Sequence, residues 1–87
     1  MKATLSSASL ADTLRSIIID IAEIAPDSYD LQSNFKADLG LDSLDMVEMI
    51  MICEKDFLIH LPDHEWTHLA SPGDLLHLIE QKYQPVS

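Results

Sequence analysis

Two short runs of this sequence contain residue types that could take part in chemistry. The first is Asp38-Leu-Gly-Leu-Asp-Ser-Leu-Asp45, in which Ser43 follows a glycine-ended loop and precedes apolar residues at helical spacing. Asp42 is placed to cap a helix there, with Ser43 at its first position and Asp45 at its third. A serine hydroxyl at a helix N-terminus suits a phosphate adduct, because free backbone N–H groups and the helix dipole both favour an anion.

Ser43 has no general base close to it in the sequence. A hydrolase serine needs a base such as histidine to accept its proton, so nothing near Ser43 indicates that this serine is its own activated nucleophile. We therefore predict that an outside enzyme modifies it. On composition alone, an ordinary structural serine at a helix start is the competing interpretation.

The second run is His64-Glu-Trp-Thr-His68, which matches the zinc-protease pattern H-E-x-x-H. In that pattern two histidines one turn apart hold zinc, and the glutamate acts as general base. A protease also needs a third protein ligand, but positions 71 and 74 are Ser and Asp, where the longer pattern has Gly and His. We predict surface histidines, His60 among them, and no metal site, with a zinc hydrolase as the alternative.

The apolar spacing predicts the elements that position these runs. Steps of three and four predict a first helix from about Leu10 to Ala25, capped by Ser9 and stopped by Pro26. Residues 26–41 are rich in turn formers and predict a long connection. Three apolar residues are expected to hold that connection to the core: Leu31, Phe35 and Leu39.

The later part of the chain predicts three more helices. They cover about residues 43–57, a short segment from Pro62 to about Leu69 with Trp66 and Leu69 facing inward, and a last helix capped at Ser71 and ending near Tyr83. The tail, 84–87, is expected to fray. The predicted fold class is all-α: a small four-helix bundle with a long loop between helices one and two and a short third helix.

The second predicted helix carries apolar residues on two sides. The set that we name the Cys53 stripe contains Met46, Ile50, Cys53 and Phe57. The set that we name the Met51 stripe contains Leu44, Val47 and Met51, and it is interrupted by Asp45, Glu48 and Glu54. A central helix of a small bundle packs on most sides, so the residues alone favour burial of both stripes. The alternative is that the Met51 stripe forms an apolar partner site edged with carboxylates.

Size and charge exclude several classes of function. The chain has 87 residues, which predicts a single domain, 1–87, with little material for a deep catalytic cleft. Its 15 Asp and Glu against 5 Lys and Arg give a formal charge of -10, which repels nucleic acid and attracts proteins with basic patches. The residues are 47% hydrophobic at helical spacing, which favours a folded chain over a disordered one.

The compartment is predicted from what the sequence lacks. No run approaches the roughly 20 apolar residues of a membrane span, and the first residues do not have the apolar core of a secretory signal. Cys53 is the only cysteine, so no intramolecular disulfide can form, and it lies in an apolar run as a buried, inert thiol would. We expect a cytoplasmic protein.

One segment resembles a known family. The run Phe35-Lys-Ala-Asp-Leu-Gly-Leu-Asp-Ser-Leu-Asp-Met-Val-Glu48 resembles the prosthetic-group site of acyl carrier proteins, in which Asp-Ser-Leu carries the arm. Phe57, the run Leu61-Pro-Asp63 and the spacing of the first and last helices also resemble the family. The resemblance covers roughly residues 9–83.

The resemblance implies a carrier that is not itself an enzyme. A phosphopantetheinyl transferase would move 4'-phosphopantetheine from coenzyme A to Ser43, with Asp42 and Leu44 beside it, and acyl groups would ride as thioesters on the terminal thiol. The protein would be a monomer serving fatty-acid or related lipid synthesis. The alternatives are a carrier for a specialised polyketide or other acyl pathway, and a small acidic adaptor without a prosthetic group.

The resemblance also implies two sets of contact residues. Enzymes with basic patches would dock at the start of helix two, which reverses the preference for burial of the Met51 stripe. That docking face contains Asp42, Leu44, Asp45, Val47, Glu48 and Met51. The acyl chain would retreat into a cavity lined by Phe35, Cys53, Leu61 and Leu69.

The chain departs from the family in one stretch. Where many bacterial fatty-acid carriers are more acidic, this sequence has His60, His64, Trp66 and His68. The choice of partners and pathway is therefore open between fatty-acid synthesis and a dedicated pathway. Peptidyl carriers fit less well, because Asp42 and the acids after Ser43 are similar to the acyl class.

Overall fold

The described residues form four α-helices and one short 3-10 helix, which confirm the predicted all-α class, the long connection and the short third helix. The computed structural model describes residues 7–83, so the predicted fraying of 84–87 lies outside the described residues. In that range, every helix is either too short or too polar to serve as a membrane span. The helices are α1 (Ser7–Ala22), α2 (Ser43–Phe57), α3 (Asp63–Trp66) and α4 (Pro72–Lys82), and the 3-10 helix is Pro26–Ser28.

Helix α1 begins and ends about three residues earlier than the sequence predicts. It begins at Ser7, so Ser9 lies inside the first turn and the predicted cap is wrong. Periodicity locates the apolar face of a helix but not the extra turn before it, because that turn, residues 7–9, has no large apolar residue to mark it.

The C-terminus of α1 is set by a left-handed residue and not by proline. Glu23 has a φ of 56°, and its N–H donates to the carbonyl oxygen of Ile19 at 2.9 Å. A residue in this conformation satisfies the last carbonyls of a helix and turns the chain away. Pro26 therefore does not stop α1 but opens the 3-10 helix, where its fixed φ suits a first position.

The connection between α1 and α2 is held by side chains at its second half. Phe35, Leu39 and Leu41 are buried, which confirms two of the three predicted anchors. Leu31 is 42% exposed, so its predicted anchoring role is wrong. The backbone of Leu31, and not its side chain, holds this part of the connection, because the Leu31 carbonyl oxygen accepts a 2.8 Å hydrogen bond from the Gly73 N–H.

Gly73 and Ala70 tie this connection to the segment before α4. A Cβ at position 73 would lie 2.9 Å from the Leu31 carbonyl oxygen, so only glycine permits this approach without a shift. A second tie is the 2.8 Å bond from the Phe35 N–H to the Ala70 carbonyl oxygen. The connection and the α3–α4 region are thereby held side by side.

The core lies where α1 packs against α2 and α4. Helix α3 is shorter than predicted: it ends at Trp66, which is buried, whereas Leu69 lies beyond it and is only half-buried. Ser71 caps α4 by accepting a hydrogen bond from the Asp74 N–H, as the sequence predicts. The buried side chains of the three long helices are Leu10, Leu14, Ile17, Ile18, Met46, Met49, Ile50, Cys53, Phe57, Pro72, Leu75, Leu76 and Ile79.

Candidate functional site

The start of α2 is fixed by a reciprocal cap. The Asp45 N–H donates to Oδ1 of Asp42 at 2.8 Å, and the Asp42 N–H donates to Oδ2 of Asp45 at 3.2 Å. This capping box confirms the predicted N-cap and places Ser43 at the first position of the helix. The chain enters the cap through Gly40, whose φ of 70° suits glycine, and through the buried Leu41.

Ser43 is exposed on the first turn of α2. The first N–H groups of a helix have no partner within it, and the cap takes only that of Asp45. Within residues 7–83, the backbone N–H groups of Ser43 and Leu44 have no hydrogen-bond partner. They are therefore free to face an anion attached at the Ser43 hydroxyl, and the dipole of α2 favours such a charge. The site fits a phosphate-linked group.

A partly open cavity of about 520 Å³ lies beside Ser43. We name it the Ser43 cavity. Its volume is within the range of about 300–1,000 Å³ that small-ligand pockets occupy. Among the described residues, its lining contains a single charged residue, Lys36, and no histidine, carboxylate or cysteine that could act as a base on Ser43. The lining residues are Asn34, Phe35, Lys36, Ser43, Met46, Val47, Trp66, Thr67, Leu69 and Ala70.

The cavity brings together only part of the set that the resemblance implies. Phe35 and Leu69 line it, whereas Cys53 and Leu61 are buried in the core and do not. Met46 and Trp66 were predicted only as core residues, yet they also form its wall. No sequence signal distinguishes a core residue that faces a cavity from one that does not, because both are apolar at helical spacing.

The Met51 stripe is exposed. Leu44 is 79% exposed, Val47 44% and Met51 62%, so the burial favoured by the residues alone is wrong. Leu58 was missed, although it is 75% exposed and lies 14 positions after Leu44, which returns it to nearly the same side of the helix. Continuing the helical spacing to the C-cap of α2 would have found it.

Carboxylates border the Met51 stripe. Asp42 and Glu48 are exposed beside it, and Asp45 is half-buried. Asp45 and Glu48 also line a second groove, of about 480 Å³, between α1 and α2. That groove contains three further acids, Asp20, Glu23 and Asp56, so this side of α2 carries concentrated negative charge.

The H-E-x-x-H run does not form a zinc site. Helix α3 ends at Trp66, so His64 and His68 do not lie on one continuous helix. Glu65 is ion-paired with Lys82, and the hydrogen bond from that ammonium lowers the pKa of the Glu65 carboxyl. Within residues 7–83, no three metal-ligating side chains are grouped to hold an ion. The four-residue helix is too short to place two ligands one turn apart.

Comparison with known proteins agrees with this geometry. The chain matches the phosphopantetheine attachment site family over residues 12–79. The acyl carrier protein of Wolinella succinogenes is 36% identical over 69 residues, covering 79% of this chain and 91% of the relative. The acyl carrier protein of Akkermansia muciniphila is 39% identical over 77 residues, covering 88% of this chain and 96% of the relative.

A small helical bundle with an exposed serine at a capped helix start, beside a cavity whose described lining residues offer no base, has the features of a carrier domain. The matched family and relatives define the carrier further: the chain belongs to the acyl carrier proteins, which hold their cargo on a 4'-phosphopantetheine group. Members of this family are carriers and not catalysts, and they work with synthesis enzymes.

Proposed function

We propose that Ser43 is the attachment point of the 4'-phosphopantetheine arm. The observation that carries this is its position: an exposed hydroxyl at the first turn of α2, on the wall of the Ser43 cavity, within the segment that resembles the family's site. The free N–H groups of Ser43 and Leu44 face the phosphate, and Asp42 holds the turn in place through its cap.

Attachment requires an outside enzyme. A phosphopantetheinyl transferase forms the bond from Ser43 Oγ to phosphorus while the bond from that phosphorus to the adenosine half of coenzyme A breaks. The proton of the hydroxyl leaves to a base that the transferase supplies, because the cavity beside Ser43 contains none. Lys36 lies in the cavity wall, and its positive charge favours the phosphodiester anion that results.

The cargo is an acyl group held as a thioester on the arm, in fatty-acid or related lipid synthesis. A specialised acyl pathway is the alternative, favoured by the histidines around α3. Of the residues predicted to line an acyl cavity, Phe35 and Leu69 are retained, together with Met46 and Val47, because they form the apolar wall beside Ser43. Cys53 and Leu61 belong to the core under this proposal.

Partner enzymes dock on the Met51 stripe and its acidic border. An exposed apolar strip edged with carboxylates offers burial at its centre and attraction for basic patches at its rim. The formal charge of -10 strengthens that attraction and opposes self-association, which supports a monomer of one domain. The lone buried thiol fits a reducing compartment such as the cytoplasm. The docking residues are Asp42, Leu44, Asp45, Val47, Glu48 and Met51.

Intact mass tests the attachment directly. Incubating the full chain with coenzyme A and a promiscuous transferase is expected to add the mass of one phosphopantetheine group, and Ser43→Ala is expected to abolish the addition. Ser16→Ala, which removes another exposed serine on α1, is the matched control and should be modified as fully as the wild type. An unchanged wild-type mass would contradict the carrier proposal, and modification of Ser43→Ala would move the site elsewhere.

A further inference from the structure

Leu58 is unfavourable for the fold in two ways. It is the C-cap of α2, with a φ of 56° and a ψ of 49°, and its side chain is 75% exposed. A residue with a Cβ is strained in this left-handed conformation, which glycine adopts freely. The exposure is a second cost, because water surrounds a large apolar side chain. A residue with both costs is expected to have a function outside the fold.

A second left-handed residue shows that the backbone alone does not explain Leu58. Glu23, after α1, also has a φ of 56° and is exposed. Its side chain is a carboxylate, which water solvates well, so it has the strain without the exposed apolar surface. A left-handed helix end therefore does not require a leucine. The leucine at position 58 is better explained by a surface that covers it in a complex.

Leu58 extends the Met51 stripe to the end of α2. It lies 14 positions after Leu44, which is about 21 Å along the helix. Outside this line of side chains, Leu31 is the one large apolar residue that is exposed in the described part of the chain. The apolar surface therefore continues beyond the docking face near Ser43 and ends at Leu58.

The charge of this surface changes sign along α2. Asp42 and Glu48 are exposed near the first turns, whereas Lys55 is exposed near the last turn. Lys55 lies four positions after Met51 and three before Leu58, and these spacings place side chains next to each other on a helix. Among the described residues, no carboxylate forms an ion pair with Lys55. We name Lys55 and Leu58 the distal end of the docking face.

The two carboxylates that neighbour Lys55 in the sequence make contacts elsewhere. Oε2 of Glu54 accepts a 2.8 Å hydrogen bond from the Leu61 N–H and lies 3.5 Å from Nδ1 of His60. Asp56 lines the groove between α1 and α2, away from the Met51 stripe. The ammonium group of Lys55 is therefore available to an acidic side chain of a partner.

We propose that the partner of this face is an acyl-synthesis enzyme whose docking surface carries both signs of charge. Basic side chains at one end face the acids near Ser43, and about 21 Å away an apolar pocket receives Leu58, with an acidic side chain at its rim for Lys55. This inference rests on the proposed carrier function and names the partner of the proposed docking face. Opposite charges at the two ends allow only one orientation of the enzyme along α2.

The sign of a charge effect gives the first test. The substrate is the full chain carrying the arm and an octanoyl group, and the probe is a purified condensing enzyme from the same organism that accepts octanoyl from the wild type. Lys55→Gln is expected to lower kcat/KM for this transfer about two- to fivefold, mainly through KM, because an exposed ion pair is lost. A docking surface that is basic throughout would instead make the variant react faster, because the variant is more acidic.

Gln32→Glu is the matched control for net charge. Gln32 is exposed in the connection between α1 and α2, and this substitution makes the formal charge of -10 more negative by one unit, as Lys55→Gln does. The control should react at least as fast as the wild type. A rate for Lys55→Gln equal to or above that of the wild type would overturn the inference, and so would an equal loss in Gln32→Glu.

Leu58→Gly gives the second test, because glycine relieves the left-handed strain and removes the side chain. The variant is expected to unfold at a urea concentration no lower than that of the wild type, and yet to lose about fivefold or more in kcat/KM. Glu23→Gly is the matched control: it relieves the same φ without removing an apolar side chain, so its kcat/KM should stay within about twofold of the wild type. A lower urea midpoint or an unchanged rate for Leu58→Gly would contradict the proposed role of Leu58.

Intact mass separates this inference from the carrier proposal. Every variant retains Ser43 and is expected to accept the arm and the octanoyl group, which is checked by mass before the rates are measured. A wild-type chain that does not accept the arm would count against the carrier function. Full loading with wild-type rates in Lys55→Gln and Leu58→Gly would count against the divided docking surface alone.

Discussion

The two apolar stripes of α2 differ in burial far more than in composition. The Cys53 stripe is at most 7% exposed, whereas the residues of the Met51 stripe are 44–79% exposed. Both consist of apolar side chains on one helix, and their centres lie less than half a turn apart around the helix axis. The Cys53 stripe belongs to the core, where α1 packs against α2, whereas the Met51 stripe faces solvent. Hydrophobicity therefore identifies residues that need a partner surface, but not whether that surface belongs to the same chain.

The acids beside the Met51 stripe explain how it can stay uncovered. An apolar strip of this kind promotes self-association unless charge opposes it, and this chain has a formal charge of -10. The same charge attracts a basic partner. The two stripes thus have different roles: one supplies the free energy of folding, and the other is proposed to supply the free energy of docking.

Removing a methionine from each side of α2 is expected to show the largest difference between the buried and the exposed side. Met49 is fully buried and Met51 is 62% exposed, two positions apart on one helix. Met49→Ala is expected to lower the free energy of unfolding by about 2–5 kcal/mol, through lost burial and the cavity left behind. Met51→Ala should change it by no more than about 0.5 kcal/mol.

Urea unfolding measures both methionine variants, with equal denaturant slopes showing that the unfolded state is unchanged. Equal destabilisation by the two substitutions would contradict the assignment of one buried and one free side. It would mean that the Met51 stripe is covered in solution.

A second prediction concerns the thiol in the Cys53 stripe. Burial, followed by the charges of Asp56 and Glu54, raises the pKa of Cys53 from 9.0 to about 12. The unfolded thiol ionises first as pH rises, so the stabilising effect of the neutral thiol is complete below pH 9 and is lost progressively between about 9 and 12. At pH 10 the loss is expected to be about 1 kcal/mol.

Cys53→Ala isolates this effect from other titrating groups. The difference in unfolding free energy between wild type and variant should be constant below pH 9 and should shrink above it. A flat difference up to pH 11 would show that the thiol is not shielded as the structure indicates.

The smallest expected effect lies on the docking side. Met51→Ala is expected to lower kcat/KM for modification by the transferase about three- to fivefold, because it removes exposed apolar surface that the partner would bury. Leu31→Ala is the matched control, since Leu31 is 42% exposed but lies in the connection and not on α2. Steady-state rates of arm transfer measure both, and equal rates for Met51→Ala and the wild type would remove Met51 from the docking face.

The parts of the fold that could be predicted are those set by neighbours in the sequence. Asp42 and Asp45 form their cap across three residues, and Ser71 caps α4 across the same distance. The ends of α1 could not be predicted, because its C-terminus depends on a left-handed Glu23 that no glycine or asparagine announces. Leu31 failed as an anchor because its backbone, and not its side chain, makes the contact with Gly73.

The H-E-x-x-H run shows the opposite limit. Its residues have the spacing of a zinc motif, but the chemistry depends on a helix long enough to place both histidines on one side. Helix α3 has four residues and ends at Trp66, so the pattern has no helix to support it. A motif predicts a site only where its structural context is also present.

Local sequence was sufficient to predict the all-α class, the cap that presents Ser43, and the resemblance of residues 35–48 to the acyl carrier site. These depend on residue types at short spacing, which act through local hydrogen bonds and helical periodicity. Packing of distant segments determines that the Met51 stripe lies in solvent, that Trp66 lines a cavity beside Ser43, and that Cys53 does not reach that cavity. Those outcomes depend on which distant segments cover a given side chain, and this is a property of packing that local sequence does not contain.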